Sequence, residues 1–173
     1  ALDLILNWKL ENVMKDKINV SYEKDRFNFK FIMPTKLVFD KVNSGNQFNE
    51  LFVLKSTDKL TVLTLLDLGK IEDVEKIDDI YNLDVEQYEK HGWIIVSKNE
   101  VNGMKELIIK KVVPPVEIPL VALIKYYFVL NGHLVCLESM LENNLNYNDY
   151  NAIKSSNNIK TTIELLSSIE EIK

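Results

Sequence analysis

Residues 124–141, IKYYFVLNGHLVCLESML, decide how this chain folds. Two apolar runs flank Asn131-Gly132, the dipeptide that most favours a two-residue hairpin turn, because both of its central positions need positive φ. So short a loop fixes the register. Leu130 then faces His133, Phe128 faces Val135 and Tyr126 faces Leu137. On the opposite side Val129 meets Leu134, Tyr127 meets Cys136 and Lys125 meets Glu138. Nearly every position is apolar or aromatic, as suits a central strand pair covered on both faces, and the opposed Lys125 and Glu138 help hold the register.

Length and charge narrow the classes. A chain of 173 residues suits one domain, residues 1–173, and can bury a real core. The formal net charge of −5 and a pI near 5.2 argue against nucleic acid or an anionic membrane surface as the main partner. Arg26 is the only arginine, so a site built on bidentate phosphate or carboxylate clamps is not expected. One cysteine allows no intrachain disulfide and leaves the redox compartment open. No apolar run approaches the roughly 18 to 20 residues a membrane span needs. The chain opens at Ala1, which fits methionine removal, a trimmed start or a cleaved export signal. A cytoplasmic location is set slightly ahead of an exported one, and the oligomeric state is not legible.

Outward from the hairpin, the period of the apolar residues changes several times. Leu2, Leu6, Leu10 and Val13 stand at helical spacing and predict an amphipathic helix over residues 1–16. Ile18, Val20 and Tyr22, then Phe27, Phe29 and Phe31, alternate and predict a hairpin stopped by Pro34. Residues 34–47 read as a loop. Residues 51–55 and 60–66 read as two strands, ended by Gly69. Val74, Ile77, Tyr81, Val85 and Tyr88 form a helical stripe, and Asp84 with Gln87 resembles a capping pattern that would divide it into two short helices. Lys90-His91-Gly92 is a helix stop. A second turn at Asn102-Gly103 would oppose Glu100 and Lys105. A short helix over residues 147–153 is broken by residues 155–158, and Ile159, Ile163, Leu166 and Ile169 predict a closing helix over 157–173. Hairpins interleaved with helices make an α+β fold, a mostly antiparallel sheet with helices packed on it.

Chemistry has little positive support. His91 and His133 are the only histidines, one at a helix end and one beside a turn, without a ligand-spaced partner, so no metal site is expected. Cys136 reads as a buried packing residue rather than a nucleophile. The pairs Glu72-Asp73 and Asp78-Asp79 read as a solvated helix surface. Asp67 is the one carboxylate placed to merit attention, and it has no partner in sequence. The five glycines are scattered, so no phosphate-cradling loop is present and no cofactor is expected. Asn19-Val20-Ser21 matches a glycosylation acceptor but falls inside a predicted strand. Interleaved tyrosines and phenylalanines lack the basic stripe of a base-stacking platform and read as core.

The order of elements carries a resemblance. An F-x-F-x-F strand runs into proline over residues 27–34. A strand pair, a helical insert and a strand entering Asn102-Gly103 follow, then the aromatic hairpin. A short helix bearing Tyr150, Ile153 and Ser155 comes last. Over residues 18–156 this resembles the PsbP-like superfamily, which takes in the photosystem accessory protein, a Ran-binding nuclear transport factor and DcrB-type proteins. Leu37 stands where a tryptophan is common in that group. The resemblance implies an α/β/α sandwich and, for most members, no catalysis: they bind or chaperone other proteins. The expectation is a non-enzymatic protein-binding accessory or assembly factor whose partner is another protein. The alternatives are a small acidic secretion-type chaperone, or a small-molecule binder or enzyme with a pocket between sheet and helices.

Overall fold

The computed structural model describes residues 8–14, 17–24, 27–40, 49–72, 75–112 and 119–172, with side chains described from residue 28 onward except at 75 and 76. The central hairpin is β9 (Val121–Leu130) and β10 (His133–Met140). Asn131 and Gly132 have φ of 51° and 73°, and every pair from Leu130↔His133 to Lys125↔Glu138 is in the expected register. A slip of one residue would move every side chain to the other face.

Around this pair stands a seven-stranded antiparallel sheet in the order β4-β5-β6-β10-β9-β8-β7. Its other strands are β4 (Leu37–Phe39), β5 (Glu50–Ser56), β6 (Val62–Lys70), β7 (Ile94–Val101) and β8 (Met104–Lys111). A second sheet runs β1-β2-β3-β11, from β1 (Trp8–Met14), β2 (Lys17–Lys24), β3 (Phe27–Met33) and β11 (Glu170–Glu171). Helix α1 (Glu75–Lys90) covers one face of the large sheet. The other face is covered by α2 (Tyr150–Lys154), α3 (Asn157–Ser168) and β3. The fold is an α+β, α/β/α sandwich on a mostly antiparallel sheet.

Cover on both faces explains why β10 reads as one apolar run. Leu134, Val135, Cys136 and Leu137 are all fully buried, alternately toward α1 and toward β3. Leu134, Val135 and Leu137 each contribute about 1.5–3 kcal/mol of burial. Toward β3 the core is aromatic, with the Phe31 and Phe52 rings 5.0 Å apart. Toward α1, Tyr81 meets Tyr127 edge-on at 5.2 Å.

Five expectations need correction. Residues 8–14 are strand rather than helix, while Leu2 and Leu6 lie outside the described residues. Register shows how the pattern misleads: Trp8, Leu10 and Val13 pair with Tyr22, Val20 and Ile18, and the register shifts between Leu10 and Asn12. A bulge turns a step of two into a step of three, which imitates a helical spacing. Residues 37–39 form a short strand against Leu54–Ser56 rather than loop. Gly69 does not end β6: it sits inside the strand at φ 117°, where the pairing shifts between Leu134 and Val135. Helix α1 is continuous, and Asp84 turns to the sheet instead of capping a second helix. The closing helix stops at Ser168. Its Oγ accepts from the Ile32 N–H at 2.9 Å, and Ile169 is extended (ψ 124°), so residues 170–171 pair with β3 as a strand.

Candidate interaction groove

The residues singled out for chemistry are mostly occupied. Cys136 is fully buried, and burial pushes its thiol up, away from the reactive thiolate. Beside it Lys125 is also buried. Its Nζ lies 3.3 Å from Asp84 and 3.6 Å from Glu138, and donates to the Tyr88 hydroxyl at 2.5 Å. Burial works to lower the Lys125 pKa, but ionisable Cys136, Glu138, Tyr88 and Asp84 around it outweigh that and raise it. Tyr127 donates a short hydrogen bond to Asp84. This network ties α1 to β9 and β10, and the opposed Lys125 and Glu138 are its legible half.

The structure brings together Asp67 and His133, which sequence reading treated as unrelated. The Nδ1 of His133 lies 3.0 Å from Asp67 Oδ1, which also accepts the Gly69 N–H at 2.9 Å. His133 is therefore not a merely exposed turn residue. His91 closes α1, its ring Nδ1–H donating to the Gln87 carbonyl at 2.6 Å. Asp78 pairs with Lys105 at 3.3 Å. No cluster of three metal-ligating side chains occurs among the described residues, and no helix among them is long and apolar enough to cross a membrane.

Sequence reading missed the loop over residues 142–149, which carries Asn143, Asn144, Asn146 and Asn148 around a buried Tyr147. The Tyr147 hydroxyl donates to the Glu142 carbonyl at 2.5 Å, closing the loop on itself. The Asn148 N–H donates to Asn146 Oδ1 at 3.0 Å, and Asp149 caps α2 through the N–H groups of Asn151 and Ala152. Glu142 accepts the Asn158 N–H at 3.2 Å, and Asn158 bonds the carbonyls of Leu60 and Met140. The loop is thus held at both ends. Its compositional signal was the polar run after residue 141.

Beneath it a second buried network anchors α2 to the sheet. Glu106, fully buried on β8, accepts from Lys154 at 2.6 Å and from the Tyr150 hydroxyl at 2.7 Å, and Lys154 also donates to Tyr126 at 2.9 Å. Burial raises the Glu106 pKa, but hydrogen bonds from Lys154, Tyr150 and Tyr126 outweigh it, and the carboxyl titrates below its usual range. Burial pushes the Tyr147 and Tyr150 hydroxyls up to about 12, so both remain donors at neutral pH.

Two hollows open along the loop and share Tyr147 and Asn148 as a common wall. One, of about 270 Å³, lies between Ser97 and Asn99 of β7 and Tyr150 and Ile153 of α2. The other, of about 330 Å³, lies between Lys110, Pro119 and the asparagines. Together they form an amide- and aromatic-lined groove beside the β7 edge of the sheet.

By sequence, no protein-family model and no curated protein matches the chain. In structure it is similar to cyanobacterial PsbP (CyanoP) from Synechocystis sp. PCC 6803, whose solution structure superposes with a TM-score of 0.57. The match covers 95% of this chain and 98% of that one at 10% identity. The chain has a PsbP-like fold.

Proposed function

We propose that this chain is a non-enzymatic protein-binding accessory or assembly factor that receives its partner in the groove between β7 and the asparagine-rich loop. The observation that carries this reading is the loop itself: four asparagines around Tyr147, with the Tyr147 hydroxyl bonded to the Glu142 carbonyl and the Asn148 N–H to Asn146 Oδ1, beside an open sheet edge. Asparagine amides both donate and accept, so they match the main chain of another protein, and tyrosines supply flat contact area at low entropic cost. Preorganisation lowers the ordering cost of binding. The fold it shares with cyanobacterial PsbP supports an accessory role without naming a partner.

The test is an affinity capture with the intact chain and with Asn148→Arg, followed by light scattering of the recovered complex. Asn148 is exposed and lines both hollows, so the variant should keep the wild-type circular dichroism spectrum. A stoichiometric protein partner held by the wild type and lost from the variant is expected. A partner held equally by both refutes the groove. A bound small molecule in native mass spectra, with no protein partner, refutes the accessory reading.

A further inference from the structure

Resting on that reading, we propose that the groove takes an extended peptide segment by strand addition to the outer edge of β7. It would read an aromatic and an acidic side chain two or four positions apart on one face of that segment. β7 is the terminal strand of the large sheet, and no described residue pairs with its outer side. The turn at Asn102-Gly103 has φ of 50° and 80°, a two-residue hairpin in which Val101 and Met104 exchange both hydrogen bonds. Alternation then makes Asn99↔Glu106 the next such pair, and leaves the N–H and C=O groups of Lys98 and Glu100 pointing away from β8. Pairing is regular from Ser97 to Val101, with the register shift lying between Ile95 and Ser97. Those five residues offer about 17 Å of edge. An extended backbone laid along the edge can take the place of water on such a row.

Side-chain direction connects the edge to the groove. Glu100 stands on the α1 side, 3.4 Å from Lys105. Ser97 and Asn99 stand on the other side, joined at 2.5 Å, and line the 270 Å³ hollow. A strand added to this edge would direct alternate side chains into that hollow. Its walls pair the Tyr147 and Tyr150 rings and Ile153 with the polar tips of Asn99 and Asn148, which suits an aromatic side chain with a polar edge. In the adjoining hollow Lys110 is the single charged side chain. Its Nζ lies 5.8 Å from the Tyr147 ring centroid, and no ion pair among the described residues involves it. An acidic side chain two or four residues along the added strand would meet it.

The probe is a phage-displayed library of random dodecapeptides panned against the full chain, with hits remeasured by fluorescence anisotropy. Enriched peptides should share an aromatic and an acidic residue at that spacing. Glu100→Pro removes an outward N–H and the exposed ion pair with Lys105, which keeps Asp78, but no β7–β8 hydrogen bond, so it should spare the β7–β8 pairing and weaken the hits by about tenfold or more. Lys110→Glu should weaken acid-bearing hits by a similar factor. N-methylation of alternate peptide amides, measured on the unaltered protein, tests main-chain pairing even if Glu100→Pro does not fold. No enriched peptides, or hits indifferent to both Glu100→Pro and N-methylation, overturn strand addition. If those hits are still lost with Asn148→Arg, the groove stands and only the mode of binding falls. If they are indifferent to Asn148→Arg as well, both readings fall.

Discussion

Replacing Lys154 by Met tests whether the buried Glu106 network is what holds α2, and with it the loop, against the sheet. Methionine keeps the alkyl stem beside the Tyr126 and Tyr150 rings, 5.4 and 5.9 Å from Nζ, and removes the charge 2.6 Å from a carboxylate with no exposed surface. Breaking a buried ion pair costs about 3–5 kcal/mol. Lys154 is 23% exposed and Tyr150 remains to donate, so the low end applies, about 3 kcal/mol at pH 7. The share due to the unpaired carboxylate has its own ceiling. Glu106 can escape by taking a proton, which at pH 7 costs a carboxyl of ordinary pKa about 3.7 kcal/mol.

That escape sets the pH dependence. In the wild type the folded Glu106 pKa is lowered, so its contribution is complete above the unfolded value near pH 4.3 and is lost as pH falls through the folded value. In Lys154→Met the carboxyl is left buried without its cation, and protonation relieves it as pH falls. The deficit should therefore shrink from about 3 kcal/mol at pH 7 to roughly 1 at pH 5. Urea unfolding at both pH values measures it, with a Tm drop of about 6–12 °C at pH 7. The double variant Glu106→Gln/Lys154→Met should recover most of the loss, because an amide still accepts from Tyr150 and leaves no buried charge. A deficit below 1 kcal/mol that does not change with pH would refute the assignment.

Two further outcomes follow from the large sheet. Cys136 should resist a thiol reagent in the native state at pH 8 and react fully in urea, since burial both covers it and raises its pKa; native-state labelling on the timescale of a free thiol would contradict its placement. Gly132→Ala should cost about 1–2 kcal/mol by urea unfolding from its positive φ alone, because a Cβ there meets nothing within 4 Å; a loss beyond 3 kcal/mol would mean a steric role the geometry lacks.

What could be read in the sequence was local. Asn131-Gly132 and Asn102-Gly103 each fixed a register because a two-residue turn leaves no slack, and the alternation of residues 27–31 survived as a strand with Phe29 and Phe31 in the core. Where a bulge entered, at Leu10 to Asn12, the same alternation imitated a helix. The β4 strand was hidden because three residues between turn signals carry too little period to detect.

The site was hidden for a different reason. Asp67 and His133 are 66 residues apart, Glu106 and Lys154 are 48 apart, and each reads alone as a solvated charge or a turn residue. Only closure of the sheet makes them partners. The groove is the consequence of one such closure. Tyr150 and Lys154 reach Glu106 because α2 lies against β8, and α2 lies there because Asp149 starts it at the end of a loop already folded around Tyr147. Loosening Glu106 should thus blur the groove as well as lower stability. Lys154→Met would then weaken partner binding more at pH 7 than at pH 5, although its side chain lines neither hollow.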